Sequence, residues 1–193
     1  PPLMMLSGDN RFIRRRAVRH LIDQAHKAGY EITHALSDGE VIDAITMGTT
    51  FGQPTLIVVA PGDLDIKTAE ALIEDKPKKV GILIEVEGLV NEKKMPVAAL
   101  VHGAYQTTFG IPKKRKDLEG MASKFVRHEA DTLLGKKGSV EKGIAEAIVR
   151  SVGADFGMLS YEMVKVTALV RSRGGDKITV ADLQQTIRAS ASS

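Results

Sequence analysis

The 193-residue chain has no cysteine and no tryptophan. Without cysteine there is no disulfide framework, no Cys-ligated zinc or iron–sulfur site and no thiol nucleophile. Aromatic residues amount to five Phe and three Tyr. That is too few to assemble the stacking platform on which single-strand binders hold bases, so an aromatic side chain in a connection stands out. No apolar run approaches the ~20 residues needed to cross a bilayer. The segment Pro1 to Asn10 also lacks the basic-then-apolar order of a secretory signal. A soluble, cytoplasmic protein without a membrane partner is the expectation.

What remains is ordinary globular composition: 43% hydrophobic, 26% charged, 18 Gly and 7 Pro. These values exclude collagen, coiled coil and wholesale disorder, and the length allows one large domain or two small ones. The net charge of +3 is unevenly spread. Residues 1–100 carry 12 Lys+Arg against 14 Asp+Glu, and residues 101–193 carry 15 against 10. The second half is the basic one, which tilts it modestly towards phosphate or an acidic surface.

The first half alternates strands and helices. Leu3 to Leu6 is a short apolar run that breaks at Ser7-Gly8-Asp9-Asn10. The stretch Arg11 to Ala28 then sets Phe12, Ile13, Ala17, Leu21 and Ala25 at helical spacing, with Gly29 closing the helix. Glu31 to Ala35 reads as a weak strand. Asp38 to Met47 reads as a short helix with Val41, Ile42 and Ile45 inward, and Thr55 to Ala60 as a strongly apolar strand stopped by Pro61-Gly62. A helix over Ile66 to Glu74, a strand over Val80 to Ile84, a helix over Glu92 to Leu100 and a strand over Ala104 to Phe109 follow. Near-continuous apolar strands alternating with helices predict an α/β domain with a parallel sheet covered on both faces.

At Gly110-Ile111-Pro112 the pattern changes. The run Lys113-Lys114-Arg115-Lys116 leads into helical stretches near Asp117 to Leu134, Val140 to Val152 and Phe156 to Arg173. A last short helix follows Thr179, and the tail Ala189 to Ser193 is expected to fray. No strand pattern is visible there. The expected organisation is an α/β domain over 1–111 and a small all-helical domain over 112–193.

Such a pairing suggests a nucleotide-binding machine, yet its phosphate loop is missing. Gly-x-x-x-x-Gly-Lys-[Ser/Thr] works because backbone amides wrap the phosphates, the lysine reaches the terminal ones and the hydroxyl holds Mg²⁺. After the first strand stands only Ser7-Gly8-Asp9-Asn10-Arg11-Phe12, and Gly135-Lys136-Lys137 has no hydroxyl and follows no strand. The strongest apolar strand runs into Ala60-Pro61, with its first acid, Asp63, beyond the turn. ATP hydrolysis and receiver-type phosphorylation are both poorly supported. There is no Gly-x-Gly-x-x-Gly, His-Glu-x-x-His or Gly-x-Ser-x-Gly. The histidines at 20, 26, 34, 102 and 128 share no metal-ligand spacing, and they read as structural positions. No cofactor, metal or catalytic residue is expected.

Between the helix ending near Met47 and the strand opening at Thr55 lies Gly48-Thr49-Thr50-Phe51-Gly52-Gln53-Pro54. Phe51 either folds back on the core or projects as an aromatic plug for a partner's apolar pocket, the kind of anchor that dominates small interfaces.

Taken in order, these segments resemble the delta subunit of the bacterial DNA polymerase III clamp loader. The likeness rests on Leu-Ser-Gly-Asp-Asn after the first strand, Thr-Thr-Phe-Gly-Gln-Pro-Thr-Leu-Ile-Val-Val, Gly153 to Glu162 with Leu169, and Asp176 to Leu183. It runs patchily from about Leu3 to Ile187. The resemblance implies an AAA+-like N-terminal domain that has lost ATP binding, followed by a helical lid. It further implies a non-catalytic role in DNA replication, in which the chain binds and opens the ring-shaped sliding clamp (beta) while other clamp-loader subunits hydrolyse ATP, in a cytoplasmic, nucleoid-associated setting.

In that family a Leu-Phe pair at a helix tip enters the clamp's hydrophobic pocket, and the matching clamp-binding positions are Thr50 and Phe51, followed by Gly52. Threonine in place of leucine removes apolar area worth about 1–2 kcal/mol at ~25 cal/mol per Å². The family also carries a third, helical collar domain where this sequence ends, so the expectation is a fragment or a reduced homologue.

Lys113, Lys114, Arg115 and Lys116 read either as a solvated linker or as a contact to DNA phosphates. The runner-up reading is a stand-alone nucleic-acid-binding module built on the basic helical half. An α/β enzyme using Asp9 or Asp63 is a third, without a partner base.

Overall fold

The computed structural model describes residues 3–52, 54–59, 79–88, 105–135 and 138–191; at 38, 48–51 and 187–191 the description is of the backbone. The chain divides into two compact units, Pro1–Ile111 and Pro112–Ser193.

In the first unit five strands form one parallel sheet: β1 (Leu3–Ser7), β2 (Glu31–Ala35), β3 (Thr55–Val59), β4 (Val80–Glu85) and β5 (Tyr105–Thr108). Their spatial order is β2-β3-β4-β1-β5. Ile57 is level with Thr33 and Ile82, and Met5 with Ile84 and Gln106. Because alternate side chains of a strand point to opposite faces, each apolar run feeds two cores. On one face Met5, Ile57, Val59, Ile82 and Ile84 pack with Val41 and Ala44 of α2 (Asp38–Phe51). On the other, Leu6, Leu56, Val58 and Leu83 pack with Val18, Ala17, Leu21, Ile22 and Ala25 of α1 (Arg11–Lys27). The fold class is therefore the α/β class read from the sequence. Every residue of β5 is exposed, as befits a polar edge strand.

Three local readings of this unit change. On α1 the expected Ala17, Leu21 and Ala25 pack against the sheet, but the fully buried positions are Arg14 and Val18, which lie outside the expected set, and Phe12 and Ile13 are half-buried. Ile42 is 49% exposed, since Val41, Ala44 and Ile45 already fill the sheet-facing arc of α2. That helix also runs past Met47 to Phe51 before Gly52 ends it. The expected helices over Ile66–Glu74 and Glu92–Leu100 lie outside the described residues, as does Ala104 of the last strand.

The second unit holds four helices, α3 (Arg115–Leu134), α4 (Ile144–Val152), α5 (Phe156–Ser172) and α6 (Val180–Ala191). Ala122, Phe125, Val126 and Ala130 of α3 join Ile144, Ala145, Ile148 and Val149 of α4 and Phe156, Leu159, Met163 and Val166 of α5 in its buried interior. The Phe125 and Phe156 rings meet edge to face at 5.2 Å, a geometry that sets one ring's positive rim on the other's negative face.

The expectation of a strandless second half misses one feature: β6 (Ser139–Val140) pairs in parallel with β7 (Lys177–Ile178). The helix expected from Val140 accordingly starts only at Ile144. Two-residue strands carry no period-2 pattern, so only the burial of Ile178 marks the pair. The helical backbone of α6 continues to Ala191.

Candidate functional site

The carboxyl ends of parallel strands are where α/β proteins place their ligands. Among the described residues, the end of β1 is closed by the chain itself. Between β1 and α1 stand only Gly8, Asp9 and Asn10. The Gly8 amide donates to the Gly88 carbonyl at 2.6 Å, and the Asn10 amide donates to the Phe109 carbonyl at 3.0 Å. Gly8 has φ +121°, and a Cβ placed there would lie 2.2 Å from the Phe109 carbonyl oxygen. The backbone of residues 8, 88 and 109 thus fills the space that a wider loop would use to wrap an anion.

Beneath this turn Arg14 is only 2% exposed. Its Nε donates to Glu85 Oε1 at 2.8 Å, and its Nη1 donates to the Gly8 carbonyl. This buried cation beneath the turn is therefore consumed by the half-buried carboxylate at the end of β4. Asn10 caps α1 by accepting from the Ile13 amide at 3.1 Å, and Ser7 and Thr108 share a hydroxyl hydrogen bond at 3.0 Å. Asp9, named as a candidate carboxylate, is exposed, and Asp63 lies outside the described residues. Among the described residues no three His, Asp or Glu side chains come together as a metal site. No helix among them is long and apolar enough to cross a membrane.

The sequence-selected residues fall in both units. Thr50 and Phe51 form the last turn of α2 in the first unit. Gly52 follows in the left-handed region at φ 65°, the usual end of a helix, and turns the chain towards β3. Its carbonyl accepts from Lys79 Nζ at 3.3 Å, a cation at the negative end of the helix dipole. The direction of the Phe51 side chain is not among the described features.

The basic run belongs to the second unit. Lys113 and Lys114 precede α3, Arg115 and Lys116 open it, and all four are exposed. Three cations crowd a helix N-terminus where acids are preferred, and Lys114 supplies no capping hydrogen bond. Arg115 turns back to Glu119, donating from Nε at 2.7 Å, and this partner raises its pKa above the ordinary value. Three of the four charges thus remain available to solvent. The same unit has an open groove of about 380 Å³ between α3 and α4, where Lys124, Arg127 and Arg150 meet Glu119 and Glu146. Arg127 is already paired with Glu146. The carboxyl of Glu146 is held below its ordinary pKa by its own backbone amide first and then by Arg127 and Arg150, against the opposing effect of burial.

The most thoroughly bonded acid of this unit is Asp182. It accepts from the Thr179 amide at 2.8 Å, the Thr179 hydroxyl at 2.7 Å, and Arg173 Nε and Nη2 at 2.9 and 2.7 Å. Burial opposes its charge, but these donors outweigh burial and hold the pKa below the ordinary carboxylate value. This set locks α6 to the end of α5. It is architectural, and the sequence shows it only as a Thr three residues ahead of an Asp.

No family model matches the sequence, and no curated protein does. Solved structures do match in fold. The DNA clamp loader delta protein of Bacillus subtilis (YqeN) superimposes with a TM-score of 0.68 at 16% identity, covering 96% of this chain and 57% of that one. The RuvB Holliday junction branch migration motor of Thermotoga maritima gives a TM-score of 0.51 at 12% identity, covering 96% and 61%. The chain therefore spans about three fifths of the length of these structures. At such identities the likeness is one of fold: a parallel sheet followed by helices.

Proposed function

We propose that the chain is a clamp-loader subunit of the delta type, whose N-terminal unit binds a sliding clamp through the tip of α2 and whose helical unit serves as a lid towards neighbouring loader subunits. The observation that carries this reading is the position of Phe51. It is the last residue of a helix that ends at a left-handed glycine just ahead of the most buried strand, in a chain whose fold follows that of a clamp loader delta protein over 96% of its length. A side chain at a helix tip can enter a pocket without dragging a loop into order, which keeps the entropic cost of docking low. Phe51 is the anchor, Thr50 and Gly52 flank it, and Thr50 contributes less apolar area than a leucine would.

The mechanism is differential binding. A subunit that prefers the open or strained ring shifts the clamp's conformational equilibrium by its difference in affinity for the two states, with no covalent step. The closed turn at Gly8 and the Arg14–Glu85 pair support a role without nucleotide turnover, so that the ATP-hydrolysing partners supply the energy. A replication subunit of this kind works in the cytoplasm at the nucleoid. The exposed Lys113, Lys114 and Lys116 favour a second reading, a stand-alone nucleic-acid-binding module that needs no clamp.

Calorimetric titration of the chain with the sliding clamp of the same source tests the proposal. Binding is expected, with Phe51→Ala weakening it about thirtyfold or more, the ~2 kcal/mol of a central aromatic anchor. Native protein that releases no heat of binding, or a variant that binds equally well, would overturn the assignment of Phe51.

A further inference from the structure

The net charge of −2 over the first hundred residues conceals a concentrated cationic surface on α1. Arg11, Arg15 and Arg19 recur every four residues and are all exposed. With a rise of ~1.5 Å per residue they climb the helix in steps of about 6 Å. Lys27 is a further exposed cation of the helix, about 160° around it from Arg11, and Asp23 is its one exposed acid. Among the described residues none of these four cations has an ion-pair partner. Arg14, by contrast, points inward to Glu85 and takes no part.

Every exposed position from Arg11 to Lys27, up to the terminal turn, is Arg, His, Asp, Gln or Lys. The face offers neither the aromatic or aliphatic anchors on which protein interfaces centre nor the apolar stripe by which an amphipathic helix inserts into a membrane surface. A phosphate backbone requires neither. It is bound by charge neutralisation and counterion release, and the guanidinium fork matches phosphate oxygens in pairs.

We propose that the outer face of α1 is a contact surface for the sugar–phosphate backbone of duplex DNA, with Arg11, Arg15 and Arg19 as its phosphate-binding residues. The surface is separate from Lys113–Lys116 and does not depend on the clamp-binding assignment.

The test is fluorescence anisotropy of a labelled 20-base-pair DNA duplex titrated with the full chain between about 50 and 200 mM salt, with no clamp present. The native chain is expected to bind with a steep salt dependence and little regard for sequence. Arg11→Gln/Arg15→Gln/Arg19→Gln is expected to weaken binding at least tenfold at the lowest salt and to flatten the log–log slope by about 2.7, or 0.9 per lost phosphate contact. Glutamine matches arginine in helix propensity, so the fold should be retained. Arg11→Lys/Arg15→Lys/Arg19→Lys provides a second reading, since it should keep the slope. An unchanged slope in the glutamine variant would overturn the proposal. So would failure of the native chain to bind the duplex, or binding to polyglutamate in its place. Each of these results leaves clamp binding through Phe51 to be judged on its own titration.

Discussion

Two individual residues close the end of β1. At Gly8 both the positive φ and the Phe109 carbonyl exclude a side chain. Gly8→Ala is therefore expected to cost more than about 4 kcal/mol or to prevent folding, read as loss of the cooperative melt. Arg14 tests the other half of the closure. Glu85→Ala strands a buried guanidinium and should destabilise the protein by about 3 kcal/mol in urea unfolding. An apolar pair, Arg14→Met with Glu85→Leu, should recover most of that loss, because a buried ion pair is worth little against well-packed apolar groups. Recovery would mark the pair as a filler of the strand-end cleft. Asp182 is the corresponding residue of the helical unit. Its four accepted hydrogen bonds make Asp182→Ala worth about 2–3 kcal/mol of stability. Because its folded pKa is depressed, its contribution is complete above the ordinary carboxylate pKa. It is lost as pH falls through the lower folded value, so acid should destabilise the native unit more steeply than the variant, a difference that thermal melts between neutral pH and pH 3 would register.

Elements were legible to the degree that they bury apolar area in a regular pattern. β3 and β4 announce themselves as apolar runs, and the observed sheet uses β4 as its central strand with β3 beside it, both in its interior. β6 and β7 were invisible because two residues make no period. The true end of α2 was missed because Gly48, Thr49 and Thr50 are poor helix formers that read as a connection. The helix nevertheless runs through them to a glycine that adopts φ 65°. A side chain at Gly52 meets no atom within 4 Å, so Gly52→Ala should cost only the left-handed backbone term, about 1 kcal/mol, seen as a lower urea midpoint at unchanged slope. The cationic ladder of α1 was hidden for another reason. Charge counted by halves averages Arg11, Arg15 and Arg19 against acids elsewhere, whereas counting at four-residue spacing reveals them.

For the whole molecule, the two compact units divide the work in the proposed function: an α/β body offers the α2 tip, and a helical unit offers basic and mixed-charge surface. Each encloses its own apolar interior, since the sheet cores draw on α1 and α2 and the helical core on α3 to α5. Calorimetric unfolding should accordingly show two transitions, and residues 112–193 alone should keep a cooperative helical melt; a single transition lost on separation would contradict that independence. The fold was recoverable from the sequence because strand and helix periodicities survive at 16% identity to a protein of the same architecture. Of the proposed contact, the sequence shows only a position, since one aromatic in a helix end carries no periodic signal. The most direct test of the central claim, a non-catalytic clamp binder, is the affinity of the purified chain for the sliding clamp of the same source with and without MgATP. Measurable binding with one dissociation constant in both conditions is the expected result. Absence of binding, or affinity that depends on the nucleotide, would contradict it.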